Sequence, residues 1–226
     1  MSHMLAISGH LPTFPLLQEG LSPSISWIPK LSLKENTDSD LVSLTQSGNK
    51  KAFAELIQRW QTPIYTFCFR KLSHQEQAEE LTQEIFMAAY RGLPSFRNDS
   101  KFSTWLFQIA TNRCKNLHGY RDRRKFKKHE PLEGTDPERR REIPDSGLNA
   151  EEQLHQKDRA QMLHEAIQQL DDKYKEVLIL FDIQNVPQAE ISKILSIPSG
   201  TIKSRIHRAR MELSRILKGK LHSKEV

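Results

Sequence analysis

Through the middle of the chain, apolar residues return every three or four positions. Leu41, Leu44, Phe53, Leu56, Ile57 and Trp60 keep that spacing, which puts them on one face of a helix. The period continues through 64-IYTFCFRKL-72, 76-EQAEELTQEIFMAAYRGL-93 and 103-STWLFQIATNRCKNLHGYRDRR-124. Pro94 and the polar run 95-SFRNDS-100 mark a loop before the last of these. Helical pattern resumes in 149-NAEEQLHQKDRAQMLHEAIQQL-170, 171-DDKYKEVLILFDIQ-184, 187-PQAEISKIL-195 and a final helix from about Ser199. No segment alternates apolar and polar residues with a period of two. The pattern therefore predicts an all-α fold: two small helical domains joined by a flexible linker, the second carrying a helix-turn-helix.

End signals refine the boundaries. Asp38 or Ser39 is the expected cap of the first helix, Asn149 (with Glu152 three residues on) the cap of the fifth, and Asp171 or Asp172 the cap of the sixth. Pro187 suits the start of the seventh, because its missing N–H would be unpaired there anyway. Residues 1–37 contain Pro12, Pro15, Pro23 and Pro29 and no helical period, so they read as a disordered extension. The opening MSHM has the look of a cloning scar ahead of Met4. The expected organisation is an extension over 1–37, a first domain over 38–125, a linker over 126–150 and a second domain over 151–222. Fully stretched at ~3.3 Å per residue, that linker reaches roughly 80 Å. Two turns of DNA span about 70 Å.

Composition narrows the function classes. The chain has 226 residues, a net charge of +6 and 9 glycines, none of them in a phosphate-binding loop. Basic residues crowd 121-RDRRKFKK-128 and 138-ERRR-141, whereas Glu76, Glu79, Glu80 and Glu84 make a segment acidic. Two surfaces with different partners would explain such asymmetry. Cys68 and Cys114 lack metal-ligand spacing and fall at apolar helical positions. They read as buried, reduced thiols, which suits the cytoplasm. No apolar run approaches the ~20 residues of a membrane span, and the Pro-broken start lacks the form of a signal peptide. No cofactor or metal is expected.

Three stripes carry the candidate chemistry. On the last helix, Ile202, Ile206, Ala209 and Leu213 share one face, and Lys203, Ser204, His207 and Arg208 share the opposite one. Together with Ser199 as cap, Thr201 and Arg205, they form a candidate major-groove reader. On the third helix, Glu80, Gln83, Glu84 and Met87 lie at i, i+3, i+4 and i+7 beside the apolar stripe Ala78, Leu81, Ile85 and Ala88/Ala89. Without a nucleophile or His beside them, the carboxylates form either a solvated face or a dock for a basic protein surface, and an enzyme is not expected. Around the loop, Phe96, Phe102, Trp105 and Phe107 offer rings, and Asn98, Asp99, Ser100, Asn112 and Asn116 offer hydrogen bonds. Arg97, Lys101, Arg113 and Lys115 offer charge. That mixture suits capture of unpaired bases, with one of Trp105 and Phe107 expected to face solvent.

The segments AEELTQEIFMAAYRGLPSF, FRNDSKFSTWLFQIATNRCKN and LDDKYKEVLILFDIQNVPQAEISKILSIPSGTIKSRIHRAR occur in this order. In them the chain resembles the bacterial RNA polymerase sigma factors of the extracytoplasmic-function (ECF, group IV) family. The resemblance implies that Glu80, Gln83, Glu84 and Met87 dock on the β′ clamp helices of core RNA polymerase, with the β flap as a second contact. It implies that Phe96, Arg97, Asn98, Asp99, Ser100, Phe102, Trp105, Asn112, Arg113, Lys115 and Asn116 open and read the −10 promoter element. Ser199, Thr201, Lys203, Ser204, Arg205, His207 and Arg208 would read the −35 duplex. It further implies promoter DNA and an anti-sigma factor as partners, and a cytoplasmic place, with tethering at the inner membrane through such a factor. Departures from the family pattern are Ser196 where Gly is common, Ser192 where a small apolar residue is usual, and His207. A stand-alone helix-turn-helix regulator of duplex DNA is the alternative; it needs neither the acidic stripe nor the aromatic loop.

Overall fold

The computed structural model describes residues 33–127 and 150–222. Eight α-helices make up most of it: α1 Asp38–Gln46, α2 Lys50–Leu72, α3 Gln75–Gly92, α4 Phe102–Lys127, α5 Ala150–Gln168, α6 Asp172–Leu178, α7 Gln188–Leu195 and α8 Ser199–His222. No strand occurs among the described residues. The expected extension up to residue 32, the Asn149 cap and linker residues 128–149 lie outside the described residues.

Helices α1 to α4 pack into the first block, α2 against α1, α3 and α4. Its centre holds Leu56, Ile64, Phe67, Ile85, Phe86, Leu106 and Phe107. Cys68 and Cys114 are both buried, unbridged thiols. Contact with Cys114, reinforced by burial, pushes the Cys68 thiol up, so it stays protonated and packs as an apolar group. Pro63 lies inside α2 and forfeits one backbone hydrogen bond. The helix continues across it because Ile57 and Ile64 on either side are buried.

The first cap falls one residue earlier than expected. Thr37 caps α1, accepting from the Asp40 N–H while Asp40 accepts from the Thr37 N–H, a reciprocal pairing that satisfies two end donors. Asp38 serves the core edge instead: its carboxylate takes the Trp60 indole N–H at 2.9 Å and the Arg59 guanidinium at 3.1 Å. Arg59 also donates to the carbonyls of Leu33, Lys34 and Asn36. This clamp pins the 3-10 turn Leu33–Glu35 against α2, so residues 33–37, expected to belong to a disordered extension, are part of the first block.

Helices α5 to α8 form the second block, α8 packing on α5, α6 and α7. Asp171 takes the cap position of α6 without a side-chain cap bond; its carboxylate pairs with Lys173 at 3.3 Å. Past α6 the chain tightens into a π turn, Ile179–Ile183. Pro187 stands at the cap of α7, one residue before the helix. The carbonyl of Pro198 accepts the first bond of α8, so Ser199 is the first helical residue rather than the cap. The two helical domains also touch: α4 packs on α7, and α2 on α5.

Candidate nucleic-acid interface

The acidic stripe emerges on the outer face of α3. Ala78, Leu81, Ile85 and Ala89 are buried, while Glu80, Gln83, Glu84 and Met87 are exposed. Tyr90, exposed beside them, extends the apolar part of this face. The i+3 step from Met87 to Tyr90 is the signal that finds it. Glu84 lies 3.6 Å from Arg113 of α4, so the acidic face borders the candidate base reader directly.

The loop between α3 and α4 folds under itself. Gln46 at the end of α1 donates to the carbonyls of Leu93 and Phe96 at 2.9 and 2.8 Å. Phe96 and Phe102 turn inward and are buried. Phe96 stacks on Trp105 at 4.8 Å, and Phe102 meets both rings edge-on or tilted. The expectation that Phe96 and Phe102 face bases is thus corrected: burial of their ring faces leaves them as pillars beneath the loop. Trp105 is the half-exposed ring, and Phe107 is core, packed edge-on against Trp60 and Phe67.

What reaches solvent here is polar. Arg97, Asn98 and Asp99 are exposed, and Ser100 is half-buried. Asn98 has a φ of 57°, a left-handed turn that Asn tolerates. Arg97 and Asp99 lie 3.4 Å apart. On α4, Asn112 and Asn116 are exposed and follow Trp105 at the spacing of one helical stripe. Arg113 is partly exposed; Lys115 is exposed, with its ammonium 3.7 Å from the Glu176 carboxylate of the second block.

The helix-turn-helix consists of α7, a left-handed Ser196 (φ 55°) and α8. Ser192 donates its hydroxyl to the Ile197 carbonyl at 2.6 Å and so fastens the turn. Ile202, Ile206 and Ala209 are buried beneath α8, while Ser199, Lys203, Ser204, His207 and Arg208 are exposed; Thr201 and Arg205 are half-covered. Arg210 stands apart from this reader. Its guanidinium pairs with the Asp182 carboxylate and lies over the Phe181 ring, and the Asp182 bond pushes it up. Beyond His207 an open groove continues along α8 over Met211, Ser214, Arg215 and Lys218. Its spacing from His207 marks it as the same outer stripe, extended past the residues named from sequence.

Residues 56–125 match the family described as Sigma-70 region 2, and residues 160–213 match Sigma-70, region 4. The ECF RNA polymerase sigma factor SigW of Bacillus subtilis is 33% identical over 184 residues, covering 78% of this chain and 95% of that one. RNA polymerase sigma-H factor of Pseudomonas aeruginosa is 32% identical over 203 residues, covering 82% and 96%. Among solved structures, CnrH in complex with the cytosolic domain of CnrY aligns with a TM-score of 0.59 at 24% identity, covering 81% and 99%. The sigma factor RpoE with the anti-sigma factor NepR from Bartonella quintana aligns at 0.62 and 24%, covering 74% and 98%. These two likenesses concern the fold.

Proposed function

The chain belongs to the ECF family of RNA polymerase sigma factors, and from that premise we propose that it directs core polymerase to promoters by reading a −35 duplex and an opened −10 strand. The chemistry of RNA synthesis is the polymerase's; this chain positions and opens DNA. The observation that supports the reading most is the facing of α8, with apolar residues beneath and Lys203, Ser204, His207 and Arg208 outward. Such a helix presents cations and hydroxyls to base edges and phosphates in a major groove.

The −10 face works on single-stranded DNA. Taking a base out of the stack costs a few kcal/mol. Hydrogen bonds from Asn112, Asn116 and the 97–100 loop, with stacking on the open part of Trp105, offset that cost. The buried Phe96 and Phe102 keep the loop in shape for it. The α3 face binds polymerase, with Glu80, Gln83 and Glu84 opposite a basic surface and Met87 and Tyr90 supplying apolar contact. Binding to polymerase fixes the separation of the two readers, so each raises the effective concentration of the other at its element. A partner of the anti-sigma kind fits the same family reading. No helix among the described residues is long and apolar enough to cross a membrane.

Run-off transcription with core polymerase tests the proposal, since promoter-dependent initiation should require this chain. A palindromic duplex bound without polymerase would instead mark a stand-alone regulator. Glu80→Arg combined with Gln83→Ala should abolish polymerase binding while leaving helical circular dichroism unchanged; normal transcription by that variant would remove the docking assignment.

A further inference from the structure

The outer stripe of α8 runs on past the residues proposed to read bases. We infer that the second half of this helix is a backbone grip, in which Arg215 and Lys218 hold phosphates of the duplex flanking the −35 element. The inference rests on the functional reading above, because it extends the DNA contact of that same helix beyond its base-reading residues.

Length alone takes α8 out of the groove. The helix has 24 residues, or about 36 Å at a rise of 1.5 Å per residue. Its proposed readers, Lys203 to Arg208, occupy only about 8 Å of that length. A major groove is about 12 Å wide. Arg215 and Lys218 lie roughly 10 and 15 Å beyond Arg208 along the axis, so they stand past the groove that the readers enter. What borders a groove is its phosphate strand. Both side chains still point outward. Steps of seven residues, close to two turns, carry Ser204 to Met211 and Lys218, and Arg208 to Arg215, and all five are exposed.

The cations of this half are sorted by where they reach. Four Lys and Arg side chains follow Arg208 on α8. Arg210 and Lys220 reach back to the block, and each is held by a carboxylate, Arg210 by Asp182 and Lys220 by Glu165 at 2.6 Å. Arg215 and Lys218 stay on the outer stripe, and neither has an ion-pair partner among the described residues. The single carboxylate of α8, Glu212, is half-covered and sits about 100° around the helix from Met211. The helix dipole favours cations in the last turn only, and Arg215 lies two turns before His222.

Positive charge and continuity with the base-reading line both point to DNA as the occupant. Ser214, exposed between the two lines, offers a hydroxyl to the same phosphate strand. Met211, 62% exposed, places an uncharged side chain where the readers give way to the grips. Phosphate contacts fix register without carrying sequence. The second block therefore has an anchor that does not depend on the bases of the −35 element, and it holds a duplex whose −35 sequence is imperfect.

Fluorescence anisotropy of the full chain on labelled duplex tests the grip, comparing wild type with Arg215→Gln, Lys218→Gln and the double variant. One probe is a duplex that the wild type selects from a randomised pool, and the other is a scrambled version of it. The slope of log affinity against log salt should shrink by about 0.9 for each single variant and about 1.8 for the double. Both probes should weaken by the same factor, so the preference for the selected sequence stays as it was. Trimming the flanks of the selected duplex should abolish the difference between wild type and the double variant. Helical circular dichroism should be unchanged, since both side chains are exposed. A salt slope unchanged in the double variant would overturn the grip, and weaker pull-down of core polymerase alongside it would assign the stripe to a protein partner. A lost preference for the selected sequence would also overturn it, by making these side chains base readers. Failure of the wild type to support run-off with core polymerase would overturn the functional reading instead, because the salt slope on the scrambled duplex involves neither polymerase nor promoter sequence.

Discussion

Two serines decide how the helix-turn-helix turn is held. Ser196 adopts φ 55° and ψ 42°, a conformation that costs a residue with a side chain about 1–2 kcal/mol. The Ser192 hydroxyl compensates by bonding the Ile197 carbonyl, whose own N–H returns to the Ser192 carbonyl. Ser192→Ala should therefore lower the stability of the second block by about 1 kcal/mol. Ser196→Gly should raise it by less than about 1 kcal/mol, because glycine's greater freedom in the unfolded chain cancels part of the relief. The double variant should return close to wild type. Urea unfolding followed by circular dichroism checks all three, and a destabilised Ser196→Gly would refute the account. The left-handed residue was legible through the family resemblance, because Ser196 stands where that family commonly has Gly. The Ser192 bond was not, since a hydroxyl reaching a carbonyl five residues on depends on the path of the turn itself.

Among the elements, the packing of α3 against α4 governs the candidate −10 face. Gly92, in right-handed backbone at the end of α3, lies close under the Trp105 ring: a Cβ there would come within 3.1 Å of it, and the ring would have to give by a few tenths of an ångström. Trp105 in turn leans on Phe96. Gly92→Val should wedge this stack apart at an overpacking cost of about 1–3 kcal/mol. Polymerase binding through the distant Glu80 and Gln83 should survive, whereas opening of the −10 strand should fall about tenfold, since 1.4 kcal/mol is a factor of ten. Pull-down with core polymerase and permanganate footprinting would separate the two effects; equal loss of both would show that the wedge acts on the whole block. The eight helices were legible because each buries a stripe with a period of three to four. The inward turn of Phe96 and Phe102 was not. Sequence shows aromatics around a loop, but the bonds from Gln46 that fold the loop under come from a helix some fifty positions earlier. The same holds for residues 33–36, where the Arg59 clamp on Leu33, Lys34 and Asn36 has no periodic signature.

For the molecule as a whole, the sequence predicted two helical domains joined by a linker, but the contacts between those domains were invisible in it. Thr104 and Glu190 are 86 positions apart, and polar pairs leave no pattern that survives such separation. The contact between the blocks should respond to pH through His164, which stacks on Phe69 of α2 at 4.8 Å. Burial, with the Arg70 cation next and Lys175 adding to it, holds its imidazole down to about 4, Glu165 opposing. A His held below its ordinary value resists protonation while the blocks are in contact and takes it up readily once exposed. The His164 contribution to this contact is therefore fully present above a pH of about 6.5 and is lost as pH falls toward about 4. Glu176, facing Lys71, Lys115 and Asp172, works the other way: burial raises it, so its protonation in acid favours closure. The two trends are separable by His164→Phe, which keeps a ring on Phe69 without the titration. The radius of gyration of the wild type should grow between pH about 7 and about 5, the range in which an exposed imidazole charges. That of His164→Phe should stay constant or shrink, as the Glu176 trend is left unopposed. Equal expansion of both proteins would show that acid opens the blocks through some group other than His164.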